Sequence, residues 1–352
     1  MKIEIHKLQI ARRAVQIGVV LLMLAIPAVS RYANYLAAHE ADKHIERWEG
    51  TLQGEALQLI DSTFRALPGG EKERVGEMVR DRERVLLYTQ GFRGGPWSMK
   101  LGPVSMSDPL AAAESIAGRK RVVGVVAISL LVPVIVTLLF GRVFCSWICP
   151  MGLLMELSDK LRRVLGFLEI RPGNLHFPRW TKFVLLGAGL ICATIFSVPV
   201  LGYIYPPTII GREAHDFVFG IFDRAEEGHF GFWAGGLTWM SLIIVGIALF
   251  EIAVSRRWWC RYVCPGGALY SLLGAARPIR VKLRESKCTS CGDCVVACPV
   301  GLNPMRNAMG IECDNCGVCI SHCNDDALAY GLWPASKEAH RPIPDTGTLL
   351  AK

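Results

Sequence analysis

The sequence predicts a mostly α fold: a four-helix transmembrane bundle, a small helical N-terminal segment outside the cytoplasm, and a cysteine-rich α+β domain at the C-terminal end. Three observations carry this expectation. Hydrophobic residues make up 51% of the 352-residue chain and mean hydropathy is +0.32, and the excess is gathered into long runs, as in membrane proteins. Twelve of the thirteen cysteines fall into pairs or quartets of fixed spacing, leaving Cys192 alone. The basic residues behind the net charge of +8 cluster beside the apolar runs, where they set membrane orientation; nucleic-acid binding is not expected. A small secreted disulfide scaffold is excluded because the chain is neither short nor polar.

Residues 1–13 form a short basic N-terminus with Lys2, Lys7, Arg12 and Arg13. The first span, 14–38, is interrupted by Gln16 and Pro27 and reads as a retained anchor, since no small-residue cleavage site with a polar mature start follows. The second span, 122–140, and the third, 183–201, each contain 19 uncharged residues, and the fourth, 231–254, opens with 20 more. Each is long enough for the hydrocarbon core at about 1.5 Å rise per residue. Buried core helices of a soluble protein are the alternative, and three uncharged runs argue against it.

Seven Lys and Arg lie in 141–182 and eight in 255–287, against two basic and five acidic residues in 202–230. This asymmetry orients both termini, loop 141–182 and the C-terminal domain to the cytoplasm, with 39–121 and 202–230 outside. Arg119, Lys120 and Arg121 run against the rule, but they end a long segment on which it binds weakly. Segment 39–121 reads as two charged helices separated at Pro68-Gly69-Gly70, a short hairpin of Trp97, Met99 and Leu101 with Val104 and Met106 around Gly102-Pro103, and a helix opened by Asp108-Pro109. The tail 331–352, with three prolines, reads as loose.

The most specific chemical signal lies in 276–330. Cys288, Cys291, Cys294 and Cys298 follow C-x2-C-x2-C-x3-C-P, and Cys313, Cys316, Cys319 and Cys323 repeat the spacing, ending in Asn324 instead of proline. Three thiolates so spaced wrap one corner of an iron–sulfur cubane, and in two-cluster ferredoxins the fourth cysteine serves the other cluster. The expected ligand sets for two [4Fe–4S] clusters are therefore Cys288, Cys291, Cys294 and Cys323, and Cys313, Cys316, Cys319 and Cys298. Zinc knuckles are the alternative, disfavoured by two identical quartets.

Two further pairs, Cys145-x3-Cys149-Pro150 and Cys260-x3-Cys264-Pro265, follow the second and fourth spans. An i, i+4 spacing puts both thiols on one face of a helical turn. Four sulfurs at one membrane level suit a further metal or cluster; redox-active disulfides and structural turns with buried thiols remain open. Cys192, inside the third span, reads as a packing residue.

The segments GRVFCSWICPMG, WWCRYVCPGGALY, CTSCGDCVVACP and CDNCGVCISHCNDDAL resemble the NapH/MauN group of ferredoxin-type membrane proteins. They are also similar to the membrane core of NosR and of the CcoG (RdxA) proteins. The resemblance covers roughly 120–330, leaves the N-terminal segment outside, and lacks the threonine-centred flavin attachment motif of NosR-like proteins. It implies a component of the bacterial inner membrane that links the quinone pool to a partner redox protein, of ferredoxin or cytochrome type. A maturation factor delivering electrons to a metal site or disulfide, and a redox sensor, are the competing classes. A quinol site needs an apolar slot with a proton acceptor. His215, in a segment that also holds Tyr203, Tyr205, Arg212, Glu213 and Asp216, is one candidate, although a solvated histidine beside interfacial tyrosines is the ordinary reading. The segment is expected on the face opposite the cysteines, which ranks an inner-face site beside Cys145 and Cys260 above it.

Overall fold

A computed structural model describes residues 2–66, 85–86, 89, 92–95, 98–101, 104–120, 124–169, 173, 175, 177–236, 238–306 and 309–332. The break at Pro68–Gly70, Trp97, the Gly102-Pro103 turn and the tail beyond Leu332 lie outside these residues. The helices are α1 (Lys2–Ala37), α2 (Ala41–Arg47), α3 (Leu52–Arg65), α4 (Pro109–Arg119), α5 (Gly124–Phe140), α6 (Val143–Trp147) and α7 (Pro150–Phe167). They continue with α8 (Thr181–Phe196), α9 (Pro206–Glu226), α10 (Trp239–Ala253), a π-helical turn (Trp259–Val263), α11 (Pro265–Leu273), α12 (Asp293–Ala297) and α13 (Val318–Ser321). The chain divides into two compact units. Unit one is Met1–Gly18, Pro109–Pro206 and Gly246–Lys352; unit two is Val19–Asp108 and Pro207–Val245.

Among the described residues, one helical stretch, His6–Ala37, is long and apolar enough to cross a membrane by length and composition. Helices α5, α8 and α10 are apolar but shorter, at 17, 16 and 15 residues. The expected third span ends early, because Ser197 turns left-handed at φ 55° and caps α8 and Pro199 follows. The expected fourth span starts late. Gly231 and Gly236, at φ 105° and 73°, bracket a short 3₁₀ turn, Phe232–Gly235, ahead of α10. Segment 202–230, expected as a loop, is mostly helix α9, 21 residues long. Its Val218, Phe222 and Ala225, at helical spacing, are buried.

In unit one, the chain after α8 folds back along it. Leu201 packs on Gly189, where an added Cβ would lie 2.1 Å from Leu201 Cδ2, and the Leu201 N–H donates to Glu114 Oε1 at 2.6 Å. Strands β4 (Ile279–Leu283) and β5 (Leu328–Leu332) pair antiparallel, with Val281 opposite Tyr330, and frame the two cysteine quartets. The core of this part joins Val281, Leu283, Val295, Ile320 and Leu328 to four of the quartet cysteines, with Cys288 and Cys323 packed against it.

Unit two holds β1 (Phe92–Gly95), β2 (Ser98–Leu101) and β3 (Val104–Met106), an antiparallel meander in which Met99 faces Met106. The expected hairpin is present with a third strand added, so this segment is not purely helical. Its aromatic core sets Tyr35 edge-on to Trp48 and Phe222, at 6.0 and 6.4 Å. Arg31 pairs with Asp223 and Glu226.

Candidate functional site

The two quartets are conformational copies. Ser290 and Asn315 both have positive φ, 59° and 50°, and the glycines that follow, Gly292 and Gly317, sit at 86° and 72°. Left-handed residues let three cysteines of each run turn around one point, and a glycine bears such a φ without a Cβ clash. Each run then closes alike, with Cys298 N–H on Val295 O and Cys323 N–H on Ile320 O, both at 3.2 Å. Replacing proline by Asn324 after the last cysteine leaves that turn unchanged.

The last cysteine of each run lies with the first three of the other. Cys288, Cys291, Cys294 and Cys323 line one small cavity, and Cys298, Cys313, Cys316 and Cys319 line a second. Four thiols around one cavity are the donor set that a [4Fe–4S] cluster takes. Burial pushes the thiols of Cys294 and Cys313 up to about 12 and those of Cys316 and Cys319 well above their ordinary value. Thiolates in such surroundings require positive charge, which iron would supply, and loading would release their protons. Leu302 N–H donates to Cys298 Sγ at 3.3 Å, the kind of bond that tunes a ligated sulfur.

The two C-x3-C-P motifs are also copies. Cys149 and Cys264 are N-caps with nearly equal backbone angles, φ −60° and ψ 120° against φ −60° and ψ 112°, and proline opens each following helix. The Cys149 N–H reaches Phe144 O, and the Cys264 N–H reaches Trp259 O, both at 2.9 Å. Each bond spans five residues, one wider than an α-turn, and so widens the loop that carries the two sulfurs. Gly267 N–H donates to Cys264 Sγ at 3.3 Å. The four thiols lie within electrostatic reach of one another: Cys149 feels the charge of Cys260, Cys145 and Cys264, and Cys260 that of Cys264 and Cys145. Burial raises all four, Cys264 to about 11. All thirteen cysteines are free thiols.

A buried ionic knot joins this set to the second quartet. Arg142 Nη1 donates to Glu312 Oε2 at 2.8 Å and to its carbonyl at 3.1 Å, while Nη2 lies 3.5 Å from Cys260 O. Lys182, fully buried, pairs with the same carboxylate. Ser146 Oγ donates to Asp314 O at 2.8 Å. Burial would lower the Arg142 pKa, but charge on Cys145, Glu312 and Asp314 raises it above its ordinary value. Helix α1 adds two stitches from one face, Gln9 to Cys316 O and Gln16 to Ser146 O, both at 2.9 Å. Glu251 accepts the N–H groups of Trp258 and Trp259 at 2.8 and 2.7 Å, fixing the turn into Cys260. Sequence reasoning missed these residues. Only Gln9, Arg12 and Gln16 carry a local signal, polar positions at i, i+3 and i+7 beside an apolar run.

Tyr205 lies against Gly266, where an added Cβ would be 2.3 Å from its ring, and Trp259 Nε1 donates to Ile204 O at 3.2 Å. Residues expected at the far end of the third span therefore adjoin the second C-x3-C-P motif. His215 belongs to unit two. It stacks on Phe219 at 4.1 Å and lies 3.8 Å from Asp216, about half exposed.

A family model described as a 4Fe-4S binding domain matches residues 122–167 and 237–284, each match holding one C-x3-C-P motif. A second model of the same description matches 281–302, around the first quartet. The ferredoxin-type protein NapH of Haemophilus influenzae is 28% identical over 266 residues, 70% of this chain and 85% of the relative. NapH of Escherichia coli is 27% identical over 263 residues, 67% and 83% of the two chains. The methylamine utilization ferredoxin-type protein MauN of Methylobacillus flagellatus is 27% identical over 208 residues, 57% and 64%. No solved structure gives a significant match. Paired motifs, quartets and relatives agree: the chain is similar to the NapH and MauN ferredoxin-type proteins, and three of its segments match models of 4Fe-4S binding domains.

Proposed function

We propose that the chain is a multi-pass membrane electron-transfer protein that takes electrons from quinol and delivers them to a partner redox protein. Its two quartets would hold two [4Fe–4S] clusters, with Cys323 and Cys298 exchanged between them, and the four C-x3-C-P cysteines would form a third centre. The observation that carries the reading is the knot of Arg142, Ser146, Glu312 and Asp314, which ties one C-x3-C-P motif to the start of the second quartet. Bound cubanes supply one-electron chemistry, while the protein sets burial, charge and order of the sites. The buried cations Arg142 and Lys182 offset thiolate charge, and the backbone links hold neighbouring sulfur sets at fixed separation.

The membrane assignment draws support from exposed apolar faces: Val125, Ile128 and Leu131 on α5, Ile191, Ile195 and Phe196 on α8, and Trp239, Leu242 and Leu249 on α10. Surfaces of this kind are costly in water and ordinary in lipid. α1, α5, α8 and α10 would then form the four-helix bundle, with the iron–sulfur domain cytoplasmic by the basic-residue asymmetry. For quinol, the surroundings of Cys260 and Cys264 rank above His215, since Tyr205 and Trp259 give an aromatic wall there.

The test is anaerobic addition of a short-chain quinol to membranes containing the protein, followed by electron paramagnetic resonance. Cluster reduction by quinol is expected. Clusters that respond to dithionite and never to quinol would reject the quinol link and favour the maturation or sensing classes.

A further inference from the structure

Beside the quartets, unit one opens a cleft of about 820 Å³ whose lining carries seven Arg and Lys side chains against three carboxylates. Two of the arginines are sunk into it: Arg12 is 3% exposed and Arg257 7%. They share Glu156, at 2.9 and 3.6 Å, and Arg13 pairs with it too. The Nε atoms of Arg12 and Arg257 have no hydrogen-bond partner among the described residues. Lys160 and Arg163 stand exposed at the cleft's rim. The cleft thus sets seven basic side chains against three carboxylates, a surplus of positive charge that suits an oxyanion.

Its position narrows the choice of anion. Arg12 and Arg13 directly precede the apolar run of α1, and Arg256 and Arg257 follow the end of α10 at Ala253, so basic groups gather at the ends of two apolar helices. Helix α7 supplies Lys160 and Arg163 and also exposes Leu157, Leu161, Val164 and, just past its end, Leu168. These four, at i, i+4, i+7 and i+11, form an apolar stripe along the helix. We propose that the cleft seats the phosphate headgroup of an anionic phospholipid, with acyl chains running over this stripe. A phosphate headgroup is small enough to enter a cleft that a partner protein's flat acidic surface would only cover, and free phosphate has no use for the stripe. Headgroup binding at this level clamps α1, α7 and the segment after α10, the elements that pack around the C-x3-C-P motifs.

The proposal rests on the membrane reading, and the two fail separately. Purified full-length protein in mixed micelles of equal phosphatidylglycerol and phosphatidylcholine is analysed by native mass spectrometry. Wild type should retain the anionic lipid at least about tenfold over the zwitterionic one, from roughly 1 kcal/mol per basic group engaged. Lys160→Glu/Arg163→Glu, which spares the buried arginines, should bring the ratio close to one, and Leu157→Ser/Leu161→Ser should weaken retention of both lipids. Excess inorganic phosphate should not displace the lipid. Equal retention by wild type, an unchanged ratio in the charge-reversed variant, or displacement by phosphate would overturn the headgroup assignment; the first two would leave the cleft to an acidic protein. Alkaline carbonate extraction of membranes is run in parallel. Release of the protein by carbonate rejects the membrane reading itself, whereas a carbonate-resistant protein with no lipid preference rejects the headgroup site alone.

Discussion

Arg142 and Glu312, 170 residues apart, make two hydrogen bonds through a single guanidinium nitrogen, one to the side chain and one to the main chain. The pair is buried, with Lys182 as its third member. Removing one side of a buried pair leaves the other charged and poorly solvated, at a cost of about 3–5 kcal/mol. Glu312→Gln, which strands Arg142 and Lys182 together, should lose stability on that scale in denaturant titrations of the detergent-solubilised protein. Arg142→Ala should lose less, because Lys182 still neutralises the carboxylate. A larger loss in Arg142→Ala than in Glu312→Gln would contradict this account.

The proposed exchange of last cysteines between quartets makes a second prediction. Cys323 lines the cavity of Cys288, Cys291 and Cys294, and Cys298 that of Cys313, Cys316 and Cys319. Wild type should contain at least about eight irons per chain after anaerobic purification, the two-cubane share of the quartets. Cys323→Ala and Cys288→Ala should perturb the same spectroscopic signal, and Cys298→Ala and Cys313→Ala the other. Pairing of Cys323→Ala with Cys313→Ala would mean that each run keeps its own four ligands, and zinc in place of iron would remove the clusters altogether.

How much was legible in the sequence follows from how local each signal is. Each quartet declares itself within eleven consecutive residues and each C-x3-C-P pair within six, because a loop that gathers several thiols needs them at fixed spacing. The apolar helices are equally local, though Ser197 and Gly236 end or delay two of them in ways that hydropathy alone does not show. Segment 206–226 was hidden by its charges and double proline, although proline is at home in a first helical turn. The Arg142–Lys182–Glu312 knot had no local signature. An arginine beside an apolar run reads as a topology marker, and only the fold brings residue 312 to it.

The four C-x3-C-P cysteines should behave as a unit. Replacing Cys149 or Cys264 by serine should abolish quinol-dependent electron delivery while both quartet signals persist. Cys192→Ser, on α8 and apart from both motifs, serves as the control and should retain activity. Normal electron delivery in both single variants would return the motifs to a structural role.

A photoreactive quinone should mark the surroundings of the second motif. With Tyr205 against Gly266 and Trp259 bonded to Ile204, adducts protected by a competing inhibitor are expected within 203–206 and 258–266. Protected adducts confined to α9 around His215 would reverse the ranking of the two sites.

The turn from α5 into the first motif is a close-packed place in unit one, and a single methyl group tests it. Gly141 has φ 72°, a left-handed conformation that costs a residue with a Cβ about 1 kcal/mol or more. A Cβ there would also fall 2.5 Å from Arg277 Cδ. Arg277 cannot easily retreat, being 1% exposed and bonded to Gly310 O at 2.9 Å. From the other side, a Cβ on Gly274 would lie 2.5 Å from Gly141 Cα, so the two glycines are the contact. Gly141→Ala should therefore lower stability by about 2 kcal/mol or more. Because Arg142 and Cys145 follow directly, it should also make iron at the C-x3-C-P site easier to chelate than iron in the first quartet. Gly166→Ala, in helix α7 with nothing within 4 Å of its added Cβ, should be neutral or gain up to about 1 kcal/mol from helix propensity. Equal thermal stability of the two variants would show that the close approach at Gly141 is dispensable for holding the motif in place.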